Sequence, residues 1–176
     1  THSSVLLQRF MIQWNCIFMV IFSRKGVWME ELYPNLVPPQ NIEAEEAVLG
    51  SILLASDSII SVMEFLTPED FYRVSHQLIF AAMIELNQNN IDIDAITVSE
   101  ILRQKNQMEN IGWEVTLIEL LDKVPTAANV EYYTQIVLEK STRRKLIKTS
   151  TNIVKTAYQE DEPIANVLDN AEKDIL

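Results

Sequence analysis

From Asn41 onward the chain divides into segments whose apolar residues recur every three or four positions, the period of one face of an α-helix. Ala44, Ala47, Val48, Ser51, Ile52 and Ala55 make a face of small residues over 42–55. Asn41 stands where an N-cap belongs, and Glu43, Glu45 and Glu46 fill the first turns, where the helix dipole favours negative charge. Gly50 in that face permits close contact with another helix. Ser56 starts a short helix over 57–66. In TPED, Thr67 is the cap, Pro68 the first helical residue and Asp70 the third, a capping-box-like start. HQLIFAAMIEL predicts a strongly apolar, central helix over 75–86, ended by the turn formers NQNN. Ile91 and Ile93 alternate before Ile96, Ser99, Ile101 and Leu102 adopt helical spacing behind an Asp94 cap. NQMENIG reads as a connector. Trp113, Leu117, Leu120, Leu121 and Val124 then share one face of a helix that Pro125 stops.

The last fifty residues follow a different plan. Thr126 caps a helix that runs without Pro or Gly to about Tyr158, a length of about 45 Å at 1.5 Å per residue. A head of this size has a radius of gyration of only about 13 Å, so part of the helix must project. Its apolar residues fall in two neighbouring stripes, Tyr133, Ile136, Val137, Ile147, Val154 and Tyr158 beside Val130, Leu138, Leu146, Ile153 and Ala157. That is wider than one packing partner requires. After the turn QEDEP, Ile164, Val167, Leu168, Ala171 and Ile175 keep helical spacing on a second helix. The expected fold is therefore all-α: a multi-helix head over 42–125 and a long antiparallel helical hairpin over 126–176. A lone two-helix hairpin buries too little to be stable, so a second hairpin should pack on it. Ile136, Val137, Ile147, Ile153, Val154 and Tyr158 should carry that pairing, with Ile164, Leu168 and Ile175 closing it.

Composition narrows the chemistry. The 176 residues carry 25 acidic and 14 basic side chains, a net charge of −11, which opposes any general attraction to phosphate backbones. One cysteine, Cys16, supports neither a disulfide framework nor a thiolate metal cage and suits a reducing compartment such as the cytoplasm. Residues 1–28 hold Arg9, Arg24 and Lys25 but no acid, and the chain opens without Met. Three readings are open for them: non-native or disordered upstream sequence with Met29 as the native start, which is favoured, a membrane-associating segment, or an extra helix. The apolar run Phe10 to Phe22 is short for a bilayer span of about 20 residues. Residues 29–41 form a Pro-rich arm.

Catalytic machinery is missing from the pattern. No G-x-x-x-x-G-K-[ST] occurs, so there is no P-loop for nucleotide phosphates, and His2 and His76 make neither a zinc site nor a nucleophilic dyad. His76 reads as a surface or core hydrogen-bonder, and Glu45, Glu46, Glu69 and Asp70 as helix-start charges. No catalytic, cofactor-binding or metal-binding residue is expected. The basic cluster Lys140, Arg143, Arg144, Lys145 and Lys148 has three readings: a solvated or salt-bridging face, in which Glu139 and Arg143 form an i, i+4 pair, a dock for an acidic partner, or a direct DNA contact. Tyr132 and Tyr133 are poor candidates for base stacking, since at least one belongs to the apolar stripe.

Four segments in order, VPPQNIEAEEAVLGSILL (37–54), LTPEDFYRVSHQLIFAAM (66–83), DAITVSEIL (94–102) and VPTAANVEYYTQIVLEKSTRRKLI (124–147), closely resemble the N-terminal domain of DnaB-type bacterial replicative DNA helicases. The resemblance covers about 29–176. It implies hairpins that pair between subunits into a hexameric collar above an ATP- and Mg-dependent motor ring, a motor that would follow Leu176. It further implies docking of primase, a helicase loader as another partner, and contact with DNA only through the complete ring. A stand-alone adaptor with the same fold is the alternative. Relatives usually carry a glycine pair where this chain has Gly112-Trp113.

Overall fold

The computed structural model describes residues 36–124, 126–159, 161 and 163–175. Expectations for 1–28, and for the Pro-rich arm up to 35, lie outside these residues. Residues from Pro39 onward form one compact unit, and among the described residues every regular element is helical.

Helix α1 (Ile42–Leu54) lies at the centre of the head, packed against helices on several sides, and is buried from Ala44 to Leu53 except for the half-buried Ala47. The Asn41 side chain caps it, accepting from the Ala44 N–H at 3.0 Å. Two further helices, α2 (Ser58–Met63) and α3 (Val74–Gln88), flank a 3₁₀ turn at Pro68–Asp70. Phe71 and Phe80 pack at 5.0 Å between ring centroids in the core beside Ile79, Met83 and Leu86. Helix α4 (Ala95–Gln104) starts on a complete capping box: Asp94 accepts from the Ile96 and Thr97 N–H groups, and Thr97 Oγ1 accepts from the Asp94 N–H. Its buried face is Val98, Ser99 and Leu102, while Ile96 lies exposed.

The stretch read as a connector contains a helical turn, α5 (Met108–Ile111), whose Met108 and Ile111 enter the core. Helix α6 (Trp113–Asp122) buries Leu117 and Leu120, but Trp113 is exposed. Between α5 and α6, Gly112 and Trp113 both take left-handed backbone conformations, with φ of +86° and +67°. The conformation is free for glycine and costs an ordinary residue such as Trp113 about 1–2 kcal/mol. The face holding Gly50 meets α6: a Cβ on Gly50 would overlap the Leu120 carbonyl oxygen and approach Val124 Cγ2 to 2.8 Å.

Thr126 caps a 3₁₀ turn at Ala127–Asn129, and α7 (Val130–Ala157) then runs for 28 residues. α8 (Ile164–Ile175) folds back on its far half. The all-α head followed by a helical hairpin is the architecture found.

Candidate assembly surface and its polar anchor

Helix α7 plays two parts. Over its first three turns Val130, Thr134, Val137 and Ser141 are buried at i, i+4, i+7 and i+11, and Val130 and Val137 belong to the core of the head. Val137 is therefore not available to a second chain, contrary to the expectation from its stripe. Tyr133 and Ile136 are half-buried and pack against the same core. The physical reason is that periodicity identifies a stripe without identifying what covers it. Here α1, α2 and the 3₁₀ turn after Leu66 cover it.

Past Ser141 the burial changes. The seam of the hairpin is formed by the half-buried Ile153 and Thr156 on α7 facing Val167 and Ala171 on α8, and Val167 alone on α8 is buried. Ile153 therefore lines the cleft between the two hairpin helices, on a different face of α7 from the exposed stripe. Ile147 and Val154 on α7 with Tyr158 at its C-terminal cap, and Ile164, Leu168 and Ile175 on α8, remain between 39% and 74% exposed. Each trio shares one helical face: i, i+7, i+11 on α7 and i, i+4, i+11 on α8. Two outward apolar stripes remain on a hairpin whose own seam is thin.

The basic cluster is dispersed by the fold. Arg143 pairs with Glu139 at 2.8 Å on an exposed surface, Lys140 is half-buried, and Lys148 is exposed. Arg144 and Lys145 instead turn back to the head. One arm of the Arg144 guanidinium donates to the Pro39 carbonyl at 2.7 Å and the other to the Asp70 carbonyl at 2.5 Å, while its central carbon lies 5.7 Å from the Tyr72 ring centroid. Lys145 Nζ donates to Asp70 Oδ1 at 2.6 Å, and the Ser141 hydroxyl donates to the same oxygen at 2.5 Å. The other carboxylate oxygen accepts from the Thr67 N–H and hydroxyl, both at 2.8 Å. Burial pushes the Asp70 carboxyl up, but the Lys145, Ser141 and Thr67 donors outweigh it and hold the pKa down at about 2.

In a second polar cluster, helix-start charges also take long-range partners. Glu45 and His76 are each 1% exposed, and His76 Nδ1 lies 2.8 Å from Glu45 Oε2. A carboxylate only accepts, so that nitrogen carries the proton. Glu45 also accepts from the Tyr72 N–H at 2.7 Å and the Arg73 N–H at 3.4 Å. It thereby holds the backbone that leads into α3, whose own cap residue Arg73 provides no side-chain bond. Glu46 holds Lys123 at 2.6 Å and Arg73 at 3.5 Å. Among the described residues no three metal-ligating side chains converge, and no helix is long and apolar enough to cross a membrane.

Sequence reading missed Asp70 and Glu45 as long-range anchors. One signal for Asp70 was present: Ser141, Arg144 and Lys145 continue the buried stripe of Val130, Thr134 and Val137 at i+3 and i+4 spacing, with polar residues replacing apolar ones.

Comparison with known proteins accords with this geometry. Residues 37–139 match the family described as the DnaB-like helicase N-terminal domain. The replicative DNA helicase DnaB of Geobacillus stearothermophilus is 46% identical over 148 residues, covering 84% of this chain and 33% of that protein. The chain thus spans about a third of the length of the curated relatives it matches first. The crystal structure of the N-terminal domain of DnaB helicase from Mycobacterium tuberculosis superposes with a TM-score of 0.76 at 40% identity, covering 79% of this chain and 98% of that one. The N-terminal domain of the Helicobacter pylori DnaB helicase, described with its interactions with primase, superposes with a TM-score of 0.59 at 26% identity over 66% of this chain and 91% of its own. With more than half its length matched and its helical order shared, the chain belongs to the DnaB-like helicase N-terminal domain family.

Proposed function

We propose that this chain is the oligomerisation and primase-docking region of a hexameric, ATP-dependent replicative DNA helicase that acts in the cytoplasm during replication and primosome assembly. The observation that carries the reading is the hairpin. Six large apolar side chains in two helical stripes stand in solvent beside a seam that buries only Val167 on its second helix, and exposed apolar stripes of this kind mark a protein interface. The curated relatives are themselves replicative helicases, which supports this reading over a stand-alone adaptor. The interaction of the Helicobacter pylori relative with primase supports primase as the second partner. ATP and Mg²⁺ chemistry would belong to a motor domain and not to the residues described. DNA would be met through the complete ring.

Static light scattering tests the first half of the proposal. The mass should rise with concentration above that of one chain, and Leu168→Asp with Ile175→Asp should hold the protein at one chain. Calorimetric titration with a bacterial primase tests the second half. A chain that stays monomeric at high concentration and gives no heat with primase overturns the reading.

A further inference from the structure

We propose that Asp70, Arg144 and Lys145 form a joint that sets the angle at which the hairpin leaves the head. Ser141 is the last residue of α7 to be buried. In the next turn the contacts of α7 with the head are polar and directional. Arg144 forks onto two backbone carbonyls, those of Pro39 and Asp70, from one rigid plane, and lies over Tyr72. Lys145 reaches the Asp70 carboxylate, which Thr67 and Ser141 already hold in one orientation. Apolar packing tolerates small slides and rotations of a helix, whereas a planar fork on two fixed acceptors does not.

The geometry makes this turn a fulcrum. From Ser141 to Ala157 the projecting arm is about 24 Å at 1.5 Å per residue, so a tilt of about 10° at the joint moves its tip by about 4 Å. The consequence rests on the proposed pairing of hairpins: in an assembly, the angle at this turn sets how far apart the heads of paired chains stand. Arg144 and Lys145 are thus positioning residues. They reach inward to the head, while the apolar stripes meet the partner.

The test reads the angle within one chain. In a Cys16→Ser background, spin labels at Gln88→Cys on α3 and Lys155→Cys near the tip of α7 report an intrachain distance distribution, with labelled chains diluted into unlabelled ones. Arg144→Gln with Lys145→Gln should broaden that distribution at least twofold or shift its mean by several ångströms, with helical content by circular dichroism unchanged. Arg144→Lys keeps the charge but loses the planar fork, and should fall between the two. If the double variant loses its cooperative melt, Lys145→Gln alone carries the test, since that side chain is 63% exposed. A distribution identical to the wild type in the folded variant overturns the joint. Light scattering on the same samples reports pairing separately: a changed distance with intact association supports the joint, and lost association with an unchanged distance overturns the joint while leaving the assembly reading in place.

Discussion

The head and the hairpin are made of the same kind of amphipathic helix, yet their apolar faces meet different fates. In the head, α1 is surrounded, and the largest side chains, Phe71, Phe80, Leu49 and Met83, are at most 1% exposed. In the hairpin, α8 buries Val167 and leaves Ile164, Leu168 and Ile175 in solvent. The difference shows which part of the fold is finished within one chain. A closed core obtains its stability from its own contacts, whereas two helices with one thin seam need further apolar area from elsewhere.

The contrast is broken most severely at the closest contact in the head. Gly50→Val places side-chain atoms in the backbone of Leu120, and denaturant unfolding should show a loss of about 3 kcal/mol or more, against almost none for an outward hairpin substitution. The converse change, Leu168→Asp with Ile175→Asp, should leave the melting temperature of the head nearly unaltered. It should weaken self-association about a hundredfold, near 2.7 kcal/mol, by sedimentation or light scattering. Val167→Asp, by contrast, should separate the two hairpin helices themselves.

Acid sharpens the comparison at the boundary between the two regions. The Asp70 carboxyl is held at about 2 in the folded protein against 3.8 ordinarily, so its contribution is present above pH 4 and is lost as the pH falls towards 2. Allowing for the exposed Lys145 ammonium, that loss should be about 1–2 kcal/mol in acid titrations of stability. Asp70→Asn should remove this dependence while lowering stability at neutral pH. The smallest effect has the opposite sign. Trp113→Gly relieves a left-handed residue whose ring is largely exposed and should raise head stability by about 0.5–1 kcal/mol in thermal melts.

Local chemistry was legible in the sequence. Asn41 and Asp94 cap the helices they precede, and Thr67 and Asp70 close on each other in TPED, because each interaction spans three residues or fewer. Gly50 marked the close helix contact. Pairings across long separations were not legible. Glu45 stands at a helix start, as its position suggested, but its carboxylate is spent on the start of another helix and on His76, 31 residues away. The stripe that holds Val137 does not show that the head covers it, because helical periodicity gives direction around an axis and says nothing about which neighbour lies there. Met108–Ile111 was too short to show a period at all. Of the assembly surface, the exposed trios on α7 and α8 were legible as stripes. The anchor behind them was hidden because its lysine and arginine resembled a solvated face.

One helix serves both regions, with no linker between core and arm. Opening of the hairpin by fraying from the Tyr158 turn would therefore run back along α7 and stop near Ser141, where each further turn exposes core side chains. Amide exchange should trace that limit residue by residue: fast near Ala157, slowing through Arg144, and as slow at Val137 as in α1. The arm could then loosen and re-form many times within the lifetime of one folded head.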